Sequence, residues 1–211
     1  MARLISVNVG RPQPLTERLT SAIVKLPVEG RVRVEGVNLA GDDQADRSVH
    51  GGPDKAVYAY AREDIDFWED VSGASLADGV FGENLTTEGL EVTNAIVGER
   101  WRVGSVELEV CQPRLPCSKL GVRFGDLRMV KAFARMSRPG AYLRIVTEGD
   151  LGTGDEITVL SRPDHGVTLR MAFDAVFNDP SLAPAVLAAP QLAGALRREL
   201  QAAFRAAATA S

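Results

Sequence analysis

Short runs in which apolar and polar residues alternate, separated by glycine-rich turns, fill the first three quarters of the chain. In the clearest run, Val106, Leu108 and Val110 alternate with polar residues after a turn at Gly104. A period of two is typical of half-buried strands, so residues 100–110 are predicted to form a hairpin. The other predicted strands span 4–9, 56–61, 141–146 and 156–160, with a further hairpin made of 22–26 and 31–35. Many short strands of this kind favour a mainly β fold, either a barrel or a sandwich.

Helical spacing replaces this pattern in two inner segments and at the C-terminal end. Helices are predicted over 62–71 and over about 126–136. Near the end of the chain, apolar residues recur at steps of four. These residues are Leu192, Leu196, Leu200 and Phe204. The sequence therefore predicts a β domain over residues 1–163 and a small C-terminal helical appendage over residues 164–211.

Composition limits the classes of function that the chain can have. Of its 211 residues, 45% are hydrophobic and 25% are charged, which is ordinary for a globular protein. A formal net charge of -4 does not favour a nucleic acid polymer or an anionic membrane as a partner. The sequence shows neither a signal peptide nor an apolar run of the roughly 18 residues that a membrane helix needs. We therefore expect a cytoplasmic protein.

Cysteine and histidine are scarce, which excludes several families of enzymes. The chain has two cysteines and two histidines. It lacks the C-x-x-C, H-E-x-x-H, G-x-S-x-G and P-loop patterns. This argues against a disulfide-stabilised scaffold, a zinc hydrolase, an α/β-hydrolase and a P-loop nucleotidase.

Cys117 occupies a setting that favours a thiolate. The chain passes through two prolines before it, and the residues from 118 onward can begin a helix. Arg114 and Lys119 are close in sequence, and cations and helix N-termini both stabilise a thiolate. A thiolate is a nucleophile and a soft metal ligand. A buried, inert cysteine is an equally good interpretation of Cys117, whereas Cys111 is best interpreted as a packing residue.

Two further segments carry polar and glycine-rich patterns with two interpretations each. Gly51 and Gly52 offer consecutive backbone amides that can form an anion-binding nest, or they make a tight turn. Asn84 can bind the amide-bearing edge of a ring through its paired donor and acceptor, or it caps a turn.

Taken together, three segments resemble the MOSC family, named for the C-terminal domain of molybdenum cofactor sulfurase, and its YiiM-type bacterial branch in particular. They read G-D-D-Q-A-D-R-S-V-H-G-G-P-D-K-A-V at 41–57, F-G-E-N-L-T-T-E-G-L at 81–90 and Q-P-R-L-P-C-S-K-L at 112–120. The resemblance extends over about residues 4–163, and three motifs in the same order are far more specific than one.

The resemblance implies a fold, a cofactor and a reaction. The fold is a β-barrel like the small domain of pyruvate kinase, followed by a three-helix appendage. The cofactor is the molybdenum cofactor, molybdopterin with molybdenum, and Cys117 would be the protein ligand of the metal. The reaction is the reduction of N-hydroxylated compounds such as hydroxylaminopurine bases.

Further roles follow from the same resemblance and agree with the chemistry of the side chains. Cations and backbone amides would hold the terminal phosphate of the cofactor, and two polar side chains would bind its pterin. His50 would donate a proton during N–O cleavage, or would instead orient its loop. The residues expected to bind the cofactor are Gly51, Gly52, Lys55, Asn84, Thr86, Arg114 and Lys119.

The sequence favours an oxidoreductase and leaves other functions open. Because nothing in it is typical of a flavin or iron–sulfur site, the electrons would come from a separate reductase. The alternatives are a non-enzymatic carrier of cofactor or sulfur that uses Cys117, and a thiol-dependent transferase without a metal. The substrate is expected to be a small molecule, and the sequence is compatible with a homodimer.

Overall fold

Strands and turns dominate the computed structural model, which describes residues 1–44 and 51–209. The strands are β1 Arg3–Val9, β2 Gln13–Thr16, β3 Leu19–Ser21, β4 Leu26–Pro27, β5 Arg31–Glu35, β6 Asn38–Leu39, β7 Val57–Ala61, β8 Leu85–Glu88, β9 Arg100–Val103, β10 Val106–Pro113, β11 Ala141–Thr147, β12 Gly149–Gly152 and β13 Ile157–Ser161. The α-helices are α1 Arg62–Ser72, α2 Ser118–Arg123, α3 Arg128–Met136, α4 Leu169–Phe177, α5 Ala183–Leu187 and α6 Gly194–Thr209. Short 3₁₀ turns occupy Pro53–Lys55, Val92–Asn94 and Pro180–Leu182.

Eight of the strands form one sheet in the order β13-β9-β10-β11-β7-β8-β1-β4. Neighbours in it are antiparallel except β7 and β8, which are parallel. Strand β1 also meets the start of β13 through an isolated bridge between Arg3 and Glu156, where the Ile157 amide donates to the Ala2 carbonyl at 2.9 Å. The predicted mainly β fold is confirmed, although among the described strands no continuous ladder closes the sheet into a barrel.

Alternation predicted the β9–β10 hairpin correctly. The two strands pair from Val103↔Val106 to Arg100↔Glu109, across the turn at Gly104. The inward residues Val106, Leu108 and Val110 have no exposed surface. Burying such a side chain contributes about 1.5–3 kcal/mol, so this hairpin supplies much of the apolar core.

The predicted hairpin of residues 22–26 and 31–35 is wrong. Strand β4 pairs with β1, through Asn8↔Pro27 and Val9↔Leu26, whereas β5 pairs with β12 and β6. Pro27 lacks an amide proton and Leu26 is 64% exposed, so β4 suits the edge position that it occupies. The alternation at β5 is real, but its main partner β12 lies more than a hundred residues away, beyond the reach of a turn signal.

Helices α1 and α3 cover an aromatic cluster beside the sheet. The Trp68 and Phe133 rings stack with centroids 6.1 Å apart, and Tyr60 and Phe81 approach to 4.6 Å. The Trp68 indole donates to the Tyr60 hydroxyl at 2.9 Å, so this polar atom is satisfied inside the cluster. The cluster includes Phe81 and Leu120, so it packs against the loop before β8 and the segment after β10.

The C-terminal helices pack on the sheet. Leu169 and Ala172 of α4 and Leu196 and Leu200 of α6 belong to the same apolar cluster as the β10 residues. The helical character predicted for this region is therefore observed, while the division into domains at residue 163 stays a prediction. Within the described residues, no helix has the length and apolar character needed to cross a membrane.

Candidate functional site

A cavity of about 100 Å³ lies where the ends of several strands and loops converge. Strands β7 and β11 contribute Tyr58 and Tyr142, and the segment after β10 contributes Arg114, Cys117 and Lys119. The remaining residues come from loops around β3, β6, β7 and β8. Those that bear on its chemistry are Lys25, Asp42, Lys55 and Asn84.

Cys117 lies at the edge of this cavity, directly before α2. Its backbone is extended, with φ -136° and ψ 166°, and its carbonyl accepts from the Leu120 amide at 3.0 Å. The Cys117 side chain is half-buried and lines the cavity, so a ligand can reach its sulfur. The sequence left open a reactive thiolate and a buried, inert thiol at Cys117. The structure excludes the fully buried thiol.

Cys111 is the buried cysteine, as the sequence predicted. It is 0% exposed, and its Sγ lies 3.1 Å from the Asp54 carbonyl oxygen and 3.3 Å from that of Tyr142. Burial raises the pKa of the Cys111 thiol far above its usual range. A neutral thiol with backbone partners has a packing role.

Three predicted cations line the same cavity as Cys117. Lys55, Arg114 and Lys119 all line the cavity. The Arg114 guanidinium is 5% exposed, donates to the Phe81 carbonyl and lies 5.2 Å from the centre of the Tyr58 ring. Burial lowers the pKa of Lys55, and the negative charge of Asp54 acts in the opposite direction. A sulfur donor among cations suits a ligand that has a soft metal at one end and an anion at the other.

A buried ion pair on the cavity wall was missed by the sequence analysis. Lys25 Nζ contacts Asp42 Oδ1, with 9% and 2% of the two side chains exposed. The second oxygen of Asp42 accepts from Asn84 Nδ2 at 2.9 Å. Burial lowers the pKa of Lys25, although Asp42 acts in the opposite direction. No local pattern marks Lys25, because its partner lies in another loop.

Asn84 lines the cavity, and its side chain is hydrogen-bonded within the protein. Its Nδ2 donates to Asp42 and to the Asn8 carbonyl, and its Oδ1 accepts from the Tyr58 amide at 3.1 Å. The amide is thus engaged within the protein on both sides. It holds Asp42 in place and ties the loop before β8 to β7, which leaves it little capacity to bind a ring edge.

Glu83, beside Asn84 in the chain, is a fully buried carboxyl. Its Oε1 accepts from the Gly79 amide at 2.6 Å and from Thr86 Oγ1 at 3.1 Å. Its Oε2 has no hydrogen-bond partner among the described residues. Burial raises the pKa of Glu83 to about 7, against the opposing effect of these hydrogen bonds. Glu83 therefore changes protonation near neutral pH, next to two residues that line the cavity.

Four of the other predicted residues do not line the cavity or lie outside the described residues. Thr86 is fully buried between Glu83 and Asn8, so it is separated from the cavity. Gly52 has φ +87° and its carbonyl accepts from the Lys55 amide, which makes it part of the turn that carries Lys55. Gly51 precedes this turn and is half-buried, and His50 lies outside the described residues.

The donor set of the cavity fits one end of a molybdenum cofactor. Cys117 supplies a soft sulfur donor, and the three cations can receive an anionic group. The volume is below the roughly 300 Å³ of common ligand pockets, so the described residues can enclose only part of such a molecule. In residues 1–44 and 51–209, no group of three or more His, Cys, Asp or Glu residues is placed to hold a metal ion.

Comparison with known proteins identifies the family. The MOSC domain matches residues 46–158, more than half of the chain. This protein belongs to the MOSC family. The match includes the Cys117 segment together with Lys55, Arg114 and Lys119.

Within the MOSC family, the relatives are of the YiiM type. The protein YiiM of Escherichia coli is 34% identical over 161 residues, which cover 75% of this chain and 72% of YiiM. The crystal structure of YiiM from Geobacillus stearothermophilus superposes with a TM-score of 0.79 at 27% identity, covering 95% of this chain and 98% of that one. A protein of Gibberella moniliformis named "Reductase" is 36% identical over 166 residues, covering 76% of this MOSC protein but only 29% of the fungal one.

Proposed function

We propose that this MOSC protein binds the molybdenum cofactor through Cys117 and reduces small N-hydroxylated molecules such as hydroxylaminopurine bases. The observation that carries the proposal is the position of the Cys117 thiol, accessible at the edge of a cavity that also presents Lys55, Arg114 and Lys119. When bound, the cofactor would supply a metal centre able to transfer two electrons and accept an oxygen atom.

The cations of the cavity have a binding role in this proposal. A cofactor that ends in a phosphate brings negative charge into a site where cations are partly desolvated, and there the attraction is strong. Arg114 is fixed by the Phe81 carbonyl and the Tyr58 ring, so it is already oriented before a ligand binds. Lys55 lies on the short turn that begins after Gly52.

Protons are the second requirement of the proposed reaction. Reduction of R–NH–OH to R–NH₂ and water breaks the N–O bond and consumes two electrons and two protons. Lys25 is a candidate donor of a proton, because its Nζ lies on the cavity wall and burial lowers its pKa. His50 remains a second candidate, since its role stays a prediction.

The electrons are proposed to come from a separate protein. The match with the fungal protein named "Reductase" covers only 29% of that longer chain, so a MOSC segment and additional sequence occur there in one polypeptide. We also propose a cytoplasmic location, in keeping with two cysteines that are both free.

A carrier function is the second candidate, and the partial exposure of Cys117 favours it equally well. An accessible thiol can bear a persulfide or hold a cofactor that is passed on. Purification from a host that makes the cofactor, followed by molybdenum analysis and an assay of hydroxylaminopurine reduction with an artificial electron donor, separates the candidates. Stoichiometric molybdenum with turnover supports the reductase. Molybdenum without turnover supports the carrier, and absence of molybdenum rules out both cofactor functions.

A further inference from the structure

We infer that Asp54 and Arg144 are positioning residues through which the C-terminal helices hold Lys55 in the cavity. The inference rests on the proposed function in one respect, namely that Lys55 receives an anionic group of the ligand. It assigns a role to the C-terminal helices, whose contribution the sequence could not define.

Asp54 is the residue that joins the turn carrying Lys55 to the C-terminal helices. It precedes Lys55 in the 3₁₀ turn Pro53–Lys55 and does not itself line the cavity. One carboxylate oxygen accepts from Arg144 Nε at 2.7 Å, and the other accepts from the Gly194 amide at 3.2 Å. Asp54 thus joins the turn to strand β11 and to the first residue of α6.

Arg144 connects the same turn to the segment before α6. Its NH1 donates to the Gln191 carbonyl at 2.9 Å and to Glu109 Oε1 at 2.8 Å. The Arg144 side chain is 24% exposed, so these charge-assisted bonds are partly protected from water. A single guanidinium therefore links the turn, strand β10 and the C-terminal segment.

Backbone contacts reinforce the junction. The Ala193 amide donates to the Cys111 carbonyl at 3.0 Å, while Cys111 Sγ lies 3.1 Å from the Asp54 carbonyl oxygen. Within the turn, the Lys55 amide donates to the Gly52 carbonyl at 3.0 Å, and Gln44 Nε2 donates to the Lys55 carbonyl at 3.2 Å. The backbone of Lys55 is thus held from both sides, and Asp54 is the connection that reaches the C-terminal helices.

The arrangement has an electrostatic consequence as well. A carboxylate next to an anion-binding lysine would weaken the binding of an anion. Because both Asp54 oxygens are bound by Arg144 and Gly194, the carboxylate is paired away from the cavity. Loss of Arg144 would loosen this turn, which the Gly194 amide and Gln44 still hold, and would leave the Asp54 carboxylate without the arginine.

A double-mutant cycle on the full chain, made in cells that lack the cofactor, tests the inference with inorganic phosphate as the probe. Arg144→Met should weaken phosphate binding at least about threefold, because the turn that carries Lys55 is released. In the Lys55→Met background, the same Arg144 change should leave the Kd within about 1.5-fold, because the group through which it acts is absent. Isothermal titration gives the four Kd values, and urea unfolding gives the four stabilities.

The matched control is Arg197→Met. Arg197 binds the Leu187 and Ala189 carbonyls, so its loss loosens the C-terminal helices without touching Asp54. It should reduce stability and leave phosphate binding unchanged. Should Arg144→Met fail to fold, Arg144→Lys takes its place in the cycle, since it keeps the positive charge and cannot contact Asp54, Glu109 and the Gln191 carbonyl together.

Three results would overturn the inference. They are an unchanged phosphate Kd on loss of Lys55, effects of Arg144 and Lys55 that simply add, and an equal loss of binding in the Arg197 variant. Molybdenum analysis of the unsubstituted protein reports on the proposed function separately. A protein that lacks molybdenum but shows the coupling would contradict that function and leave the present inference standing.

Discussion

Lys25 and Asp42 form an ion pair on the cavity wall, with 9% and 2% of their side chains exposed. Asp42 is held by two further donors, the Gly10 amide at 2.7 Å and Asn84 Nδ2 at 2.9 Å. A carboxylate fixed in this way keeps the ammonium group of Lys25 at one place and offsets the cost of its desolvation. Both the stability of the fold and the protonation of Lys25 therefore depend on the contact between Lys25 and Asp42.

Asp42→Asn should destabilise the protein by about 3 kcal/mol, because it leaves a buried ammonium group without its counter-charge. The pKa of Lys25 should fall further, since Asp42 is the strongest influence that raises it. If Lys25 donates a proton in turnover, the alkaline limb of the pH–rate profile should move to lower pH. Urea unfolding and the pH–rate profile are the measurements.

Arg33→Met is the matched control for that experiment. Arg33 is 44% exposed and makes only long contacts with acidic groups, of 3.5 to 3.9 Å. It should change the stability by less than about 0.5 kcal/mol. An Asp42→Asn protein as stable as the wild type would show that the pair contributes nothing to the folded state.

Cys117→Ser should keep the fold and lose the metal. The change replaces one atom at a half-buried position, and a serine hydroxyl is a much harder ligand that is hardly ionised. Molybdenum content should drop well below stoichiometric, and the reduction of hydroxylaminopurine should be abolished. X-ray absorption reports the number of Mo–S bonds in any metal that remains.

Cys111→Ala is the control for Cys117→Ser. Cys111 is fully buried against Asp54 and Tyr142, so its loss should reduce the stability by about 1–2 kcal/mol and leave the metal in place. An unchanged sulfur shell and full turnover in Cys117→Ser would refute the assignment of the ligand. Loss of both properties in Cys111→Ala alone would show that the ligand is the other cysteine.

The pattern of neighbouring residues in the sequence was sufficient to predict features that depend on residues close together in the chain. Alternation predicted the β9–β10 hairpin, and the motif around Cys117 predicted a thiol beside Arg114 and Lys119. The local pattern failed where a strand or a side chain has its partner far away in the sequence. Strand β5 pairs mainly with β12, and Lys25 meets Asp42 across two loops.

The hydrogen bonds of polar residues were also beyond the sequence. Asn84 and Thr86 were both expected to bind the cofactor, because an amide and a hydroxyl can serve as donors or acceptors. Their partners prove to be Asp42, Asn8, Tyr58 and Glu83, all within the protein. Only the folded arrangement shows which polar groups are still available to a ligand.

Gly52→Ala tests whether the turn conformation at this position matters for the ligand. No described atom lies within 4 Å of the added Cβ, so the cost comes from the backbone alone, whose φ of +87° and ψ of 177° lie in a region occupied almost only by glycine. We expect a loss of stability of about 1–3 kcal/mol. Phosphate binding should weaken as well, because the Gly52 carbonyl accepts from the Lys55 amide.

Gly166→Ala is matched to Gly52→Ala. It also has a positive φ, of +67°, with no described atom within 4 Å of the Cβ, and it lies outside the cavity lining. It should cost similar stability and leave phosphate binding intact. Equal phosphate affinities in the two variants, measured by titration calorimetry, would show that the Gly52 turn has no role in binding.

Glu83→Gln should change how the stability of the protein depends on pH. The folded-state pKa of Glu83 is raised by burial from 4.5 to about 7, so between these values the folded protein holds a proton that the unfolded chain has released. Stability from this group is therefore complete below about pH 4.5 and is lost as the pH rises through about 7. The loss should be on the order of 3 kcal/mol by pH 8.5.

Glutamine does not titrate, so the Glu83→Gln protein should lack this decline. We expect similar free energies of unfolding for wild type and variant at pH 4, below the ordinary pKa of a glutamate, and a more stable variant at pH 8.5. Urea unfolding at both pH values measures the difference, and Glu88→Gln, which removes a carboxylate from a more exposed position, controls for the change in net charge. Parallel stability curves for wild type and Glu83→Gln would mean that the Glu83 carboxyl stays ionised in the folded protein. In that case Arg114 or Lys25, the cations whose charges it interacts with, would have to compensate its charge fully.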